Sequence, residues 1–176
     1  MEVVLKPQDV VVLLKARLWP GGAWKFAELA KELGMSASEV HSAIKRASIA
    51  QLVVPRHDLG MGSVQRRNLL EFLLHGIRYA FPEQRGAETR GIPTGIGAPI
   101  LATHFASSDP PPVWPHPEGT VRGHSFKPLY PSVPFAASRD PGLYDGVALL
   151  DAIRGGRARE RAVAAELLEH AMAKEA

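Results

Sequence analysis

The chain has no cysteine among its 176 residues. That absence excludes disulfide staples, thiolate zinc sites and a cysteine nucleophile. No apolar run approaches the roughly 18 residues that cross a bilayer, and the charged start lacks the hydrophobic stretch of a signal peptide. These absences point to a cytoplasmic protein that does not enter a membrane. Enzyme signatures are missing too. There is no G-x-S-x-G elbow and no pair of carboxylates set apart for acid–base work. The run Arg90-Gly91-Ile92-Pro93-Thr94-Gly95-Ile96-Gly97 has backbone N–H groups that could face an anion. It lacks the G-K-[ST] of a P-loop, however, and Pro93 removes a donor. Ala-Pro follows Gly97 where a dinucleotide site needs an opening helix. His104, His116 and His124 lie near Asp109, but not at the spacing of a helical or hairpin metal site, and His75 sits on the polar stripe of a helix. No catalytic residue, cofactor or metal is expected.

What the chain does have is 45% apolar residues and a formal net charge of +3, enough for one core or one small domain with an extension. The charge is uneven. Residues 1–80 carry 11 Lys/Arg against 7 Asp/Glu, residues 81–142 carry 5 against 5, and residues 143–176 carry 5 against 6.

The positive excess coincides with the most specific pattern in the chain, residues 26–45. Phe26, Leu29 and Leu33 share one face of a first helix, with Ala30 small where a second helix crosses. Gly34 follows the last periodic residue, where a helix ends easily with positive φ. Met35 closes the turn, and Ser36 with Glu39 forms an S-x-x-E capping box that opens helix 36–48. On that helix Val40, Ala43, Ile44 and Ala47 form one apolar sector. Ser38, Ser42 and Lys45 point the opposite way, with His41 at the edge and Glu39 and Arg46 together on the flank. A short, polar, basic face of this kind suits base edges and phosphates.

These residues resemble the helix-turn-helix of bacterial transcription regulators, including the winged MarR-like and ArsR-like groups, over about residues 7–54. Pro7 and the run 10–14 supply the preceding helix, and residues 50–54 resemble the strand that begins a wing. After residues 55–58, the segment 59–62 is short and Gly-rich for a returning strand, so a stunted or absent wing is expected. The resemblance implies a partner, double-stranded DNA, bound by a homodimer. Ser38, His41, Ser42 and Lys45 would face the major groove, while Lys25, Arg46, Arg56, Arg66 and Arg67 would hold phosphates. The other reading of the same helix pair is a protein-binding module: an adaptor, or the antitoxin-type member of a two-gene system.

Beyond the motif, Ser63 is expected to cap a long helix to about residue 80. Leu70, Leu73, Leu74, Ile77 and Phe81 give it an apolar face, widened by Leu69 and Phe72. Of the 15 prolines, 12 lie in residues 82–141, which argues against long helices and central strands there. The many apolar and aromatic residues in that span point to an extended segment wrapped over the long helix, with short strands near 97–105 and 119–126. Asp140-Pro141 caps a helix lined by Leu143, Val147, Leu150 and Ile153. Gly155-Gly156 ends it, and a last helix follows with Val163, Leu167 and Ala171 inward. Arg157, Arg159 and Arg161 stand at the start of that helix, against its dipole. They await either a phosphate or acidic partner, or pairing with Glu160 and other carboxylates. The expected architecture is mainly α: a helix-turn-helix domain (1–62), a connecting helix (63–81), a Pro-rich segment (82–141) and a helical hairpin (142–176). The long helix and the hairpin are the candidate dimer surfaces.

Overall fold

The computed structural model describes residues 4–56 and 61–173. It is mainly helical with two small sheets. Helix α1 (Pro7–Arg17) starts with proline at its first position, and the Asp9 carboxylate accepts the Lys6 N–H at 2.9 Å. Helices α2 (Phe26–Leu33) and α3 (Ala37–Ile49) follow, then strands β1 (Val53–Arg56) and β2 (Met61–Val64). The strands pair antiparallel, from Val53 opposite Val64 to Arg56 opposite Met61. A returning strand of four residues therefore exists, so the hairpin is short rather than absent. It uses Ser63 and Val64 beyond the Gly-rich segment, so Ser63 lies in a strand and caps no helix. The link through residues 57–60 lies outside the described residues.

Instead of one long helix, α4 (Arg66–His75) and α5 (Ile77–Ala80) are separated at Gly76. Leu69, Leu73 and Ile77 still form a continuous buried face. The central helix is α8 (Pro141–Gly155), which packs against α1, α4, α5, α7 (Val133–Arg139) and α9 (Ala158–Ala173). The Asp140 carboxylate caps it by accepting the Leu143 N–H at 3.1 Å, as the Asp-Pro pair predicts. On α9 the buried residues are Ala164, Leu168 and Met172, one position beyond the predicted Val163, Leu167 and Ala171. A shift of one residue turns a helix face by about 100°, and Val163 and Leu167 remain half-buried at its border.

The proline-rich span is folded rather than simply extended. Strands β3 (Arg85–Pro93), β4 (Pro112–Pro115) and β5 (Val121–Phe126) each pair with the other two, β3 antiparallel to both and β4 parallel to β5. Pro93, Pro112 and Pro115 occupy strand ends, where a missing N–H costs little. The strand expected near 119–126 is β5. The one expected near 97–105 is instead a 3-10 turn (Gly95–Gly97) and helix α6 (Pro99–Ala102). Closing three strands on one another leaves no room inside. A Cβ on Gly123 would stand 2.0 Å from the Pro111 carbonyl oxygen. Gly123→Ala is therefore expected to cost about 3 kcal/mol, at the upper end of overpacking effects, measurable by thermal unfolding.

One hydrophobic core runs from Val10 to Met172 and joins all four predicted segments. Polar ties cross the same boundary. The buried Lys15 ammonium bonds Glu32 on α2 at 2.9 Å and Asp140 at the head of α8 at 2.5 Å. Burial opposes both charges of the Lys15–Asp140 pair, but the bonds between them outweigh it. Lys15 is held above its ordinary pKa and Asp140 below.

Candidate nucleic-acid interface

Helix α3 is positioned by its own sequence at one end and by the rest of the chain on its sides. Ser36 Oγ accepts the Glu39 N–H at 3.2 Å, and Glu39 Oε2 accepts the Ser36 N–H at 2.7 Å, completing the predicted capping box. Gly34 has φ 64°, the left-handed turn expected after α2. A side chain there would also meet the Phe135 ring on α7, 3.0 Å from an added Cβ. The Tyr130 hydroxyl donates to the other oxygen of Glu39. That bond, with those from Ser36, holds the Glu39 carboxyl below the usual range. The apolar sector of Val40, Ala43, Ile44 and Ala47 is buried as predicted.

On the flank, Glu39 and Arg46 bond different partners. Arg46 Nε and Nη2 donate to Asp9 Oδ2 and Oδ1 at 2.7 and 2.6 Å, a two-pronged ion pair between α3 and α1. The Asp9 side chain is fully buried, and its bond raises the pKa of the Arg46 guanidinium. Arg46 is thus a structural latch that bonds Asp9 through Nε and Nη2.

The outward face of α3 stays uncovered. Ser38, His41 and Lys45 are exposed and Ser42 is half-buried. His41 rests beside the Phe26 ring at 5.5 Å, which restrains it. Ile49 extends the same face and is 56% exposed. It goes unnoticed in a search for polar groups, yet an apolar side chain there can meet a thymine methyl. Lys25, at the head of α2, and Arg67, on the first turn of α4, are exposed.

Arg56 and Arg66 come together with Arg17 around a groove of about 300 Å³ between α1, the β1–β2 hairpin and α4. Arg66 is not wholly available there. Its Nε donates to the Met172 carbonyl at 2.9 Å, and Arg17 Nη2 donates to the same oxygen at 2.5 Å. Burial, then the nearby Arg66 charge, lowers the Arg17 pKa. Sequence spacing gave no sign of this junction, because it depends on where α9 ends.

The other candidates resolve as follows. In the Gly-rich run, the N–H groups of Thr94, Gly97 and Ala98 already donate to Pro112, Thr94 and Gly95 carbonyls, so they are not free for an anion. Among the described residues no group of three His, Asp or Glu side chains is placed to hold a metal, and no helix is long and apolar enough to cross a membrane. Neither a protein-family model, nor a curated protein, nor a solved structure matches the chain.

Proposed function

We propose that the chain is a DNA-binding regulator that inserts α3 into the major groove, with α2–turn–α3 as a helix-turn-helix and the β1–β2 hairpin as its wing. One observation carries this reading. On α3, Ser38, His41, Lys45 and Ile49 are exposed and Ser42 is half-buried along one face, while Val40, Ala43, Ile44 and Ala47 pack inward and Glu39 and Arg46 are tied to Tyr130 and Asp9. That face offers short polar groups, one flexible cation and one apolar contact, the mixture that reads base edges. Lys25, Arg56 and Arg67 would take phosphates, and Arg66 would do so through the nitrogens not bonded to Met172. One copy brings few cations, so its salt-sensitive affinity would be low. Two copies on half-sites roughly 34 Å apart supply the rest.

The protein-binding reading, an adaptor or antitoxin-type partner, rests on a proline-rich segment and C-terminal hairpin larger than DNA binding needs; Leu101, Val113, Trp114, Phe126 and Leu129 of that part are buried within this chain.

The test is fluorescence anisotropy with labelled duplexes at low salt. Lys45→Ala is expected to weaken binding by about 1–3 kcal/mol, roughly 5- to 150-fold, without changing the melting temperature. Equal affinity of the variant and the parent chain would remove α3 from the interface.

A further inference from the structure

We infer that the cleft between the three-stranded sheet and the start of α9 binds a small anionic molecule: a phosphate or carboxylate attached to an apolar body. The cleft encloses about 730 Å³, within the range of small-molecule sites. Its cations come from distant parts of the chain, Arg85 from β3 and Arg157 and Arg159 from the head of α9. His104 and His124 add ring nitrogens, and Phe105 with the neighbouring prolines forms an apolar wall.

The positive groups differ in how they are held. Arg85 is fixed, its Nε bonded to Glu83 at 2.5 Å and its Nη2 to the Gly155 carbonyl at 3.1 Å. Among the described residues, the Arg157 and Arg159 guanidinium groups have no hydrogen-bond or ion-pair partner. Glu160 lines the same cleft without bonding either guanidinium; its Oε2 accepts the Arg157 backbone N–H at 2.7 Å. The third arginine of the run is also accounted for, since Arg161 Nη1 donates to the Gly156 carbonyl at 2.8 Å. Two unpaired guanidinium groups at the positive end of a helix are unfavourable alone. An anion between them converts that cost into charge-assisted, two-pronged bonds. Asp109 and Glu160 are the carboxylates that line the cleft beside these cations.

The same helix links this cleft to the opposite end of the molecule. Helix α9 has 16 residues, about 24 Å at 1.5 Å per residue. Its last turn presents the Met172 carbonyl to Arg17 and Arg66 beside the hairpin. An anion that pulls Arg157 and Arg159 inward therefore acts on a rigid strut that ends against the proposed DNA-binding module. This coupling rests on the DNA-binding reading; the anion site does not.

Isothermal titration of the full chain with phenyl phosphate, inorganic phosphate and benzyl alcohol tests the site. Phenyl phosphate is expected to bind at least about fivefold tighter than inorganic phosphate, because the apolar wall adds to the charge contact. Benzyl alcohol is expected not to bind. Arg157→Ala with Arg159→Ala should weaken phenyl phosphate at least about tenfold. Arg122→Ala, on β5 and paired with Glu88 outside the cleft, should leave binding unchanged, and circular dichroism should show each variant folded. The single variant Arg159→Glu provides the same readout if the double variant does not fold. No binding of phenyl phosphate to the parent chain up to about 10 mM, a weaker limit than any useful site, overturns the proposal. So does equal affinity in the arginine variants. Repeating the DNA titration with phenyl phosphate at constant ionic strength tests the coupling separately. An unchanged DNA affinity refutes the strut and leaves the anion site standing. Absence of DNA binding refutes the DNA reading without touching the titration.

Discussion

Arg46→Ala is expected to destabilise the fold by about 3–5 kcal/mol, the cost of leaving a buried charge without its partner. At about 2–4 °C per kcal/mol for a chain of this size, the melting temperature should fall by roughly 10 °C. The reason is geometric. Asp9 is fully buried and receives both prongs of the guanidinium; without Arg46, among the described residues, only the Lys6 N–H remains. Replacing both residues by alanine should be less damaging than removing Arg46 alone, since no orphaned carboxylate is then left inside. Lys45→Ala, one residue away and exposed, is expected to melt like the parent. The two variants thus separate structural residues from those proposed to face DNA on a single helix turn. A stable Arg46→Ala chain with weakened DNA binding would return Arg46 to the interface.

Asp151→Ala should be as costly, about 3–5 kcal/mol, for a different part of the fold. Asp151 Oδ2 accepts from the Thr94 hydroxyl at 2.7 Å and the Trp114 indole N–H at 2.8 Å. Its Oδ1 accepts from Arg154 Nη1 at 2.8 Å. Arg154 also donates to the Phe81 and Pro82 carbonyls. Burial pushes the Asp151 carboxyl upward, and Arg154, Thr94 and Trp114 oppose that shift. The network fastens the end of β3 and the whole of β4 to α8. Alanine would leave the Thr94 hydroxyl and the Trp114 indole N–H without an acceptor and the buried Arg154 charge without its counter-ion. Thermal unfolding followed by circular dichroism should show the loss, and tryptophan fluorescence should shift red as Trp114 gains water. Asp151→Asn keeps one carbonyl oxygen and should fall between the two. A parent-like melting curve for Asp151→Ala would show that the network contributes little.

What could be read from the residues divides along physical lines. Features set by neighbours in sequence are where the spacing put them: the Ser36–Glu39 box, the left-handed Gly34, the Asp140 cap and the apolar sector of α3. Each depends on groups within four positions of one another. The features that were missed depend on distant partners. Arg46 meets Asp9 across 37 residues, and Thr94 meets Asp151 across 57. A basic residue on a helix flank looks the same in sequence whether it faces a phosphate or a buried carboxylate. The prolines misled for another reason. They argue against strand interiors, whereas Pro93, Pro112 and Pro115 sit at strand ends. Of the apolar faces of 63–81 and of the hairpin, Leu69, Leu73, Ile77, Ala164 and Leu168 are buried within this chain, while Leu70, Phe72, Leu74, Val163 and Leu167 are half-buried. Of the proposed DNA contacts, Ser38, His41 and Lys45 are exposed as the spacing required; Arg46 is bonded to Asp9 and Arg66 to the Met172 carbonyl through some of their nitrogens.

The most direct measurement is the affinity of the unmodified chain for labelled double-stranded DNA of random sequence, followed as salt is raised from low ionic strength. The account predicts binding that weakens steadily on a plot of log affinity against log salt, as phosphate contacts require. It also predicts competition by unlabelled duplex. No binding at the lowest salt, at protein concentrations up to about 100 μM, where even non-specific contacts register, would contradict it.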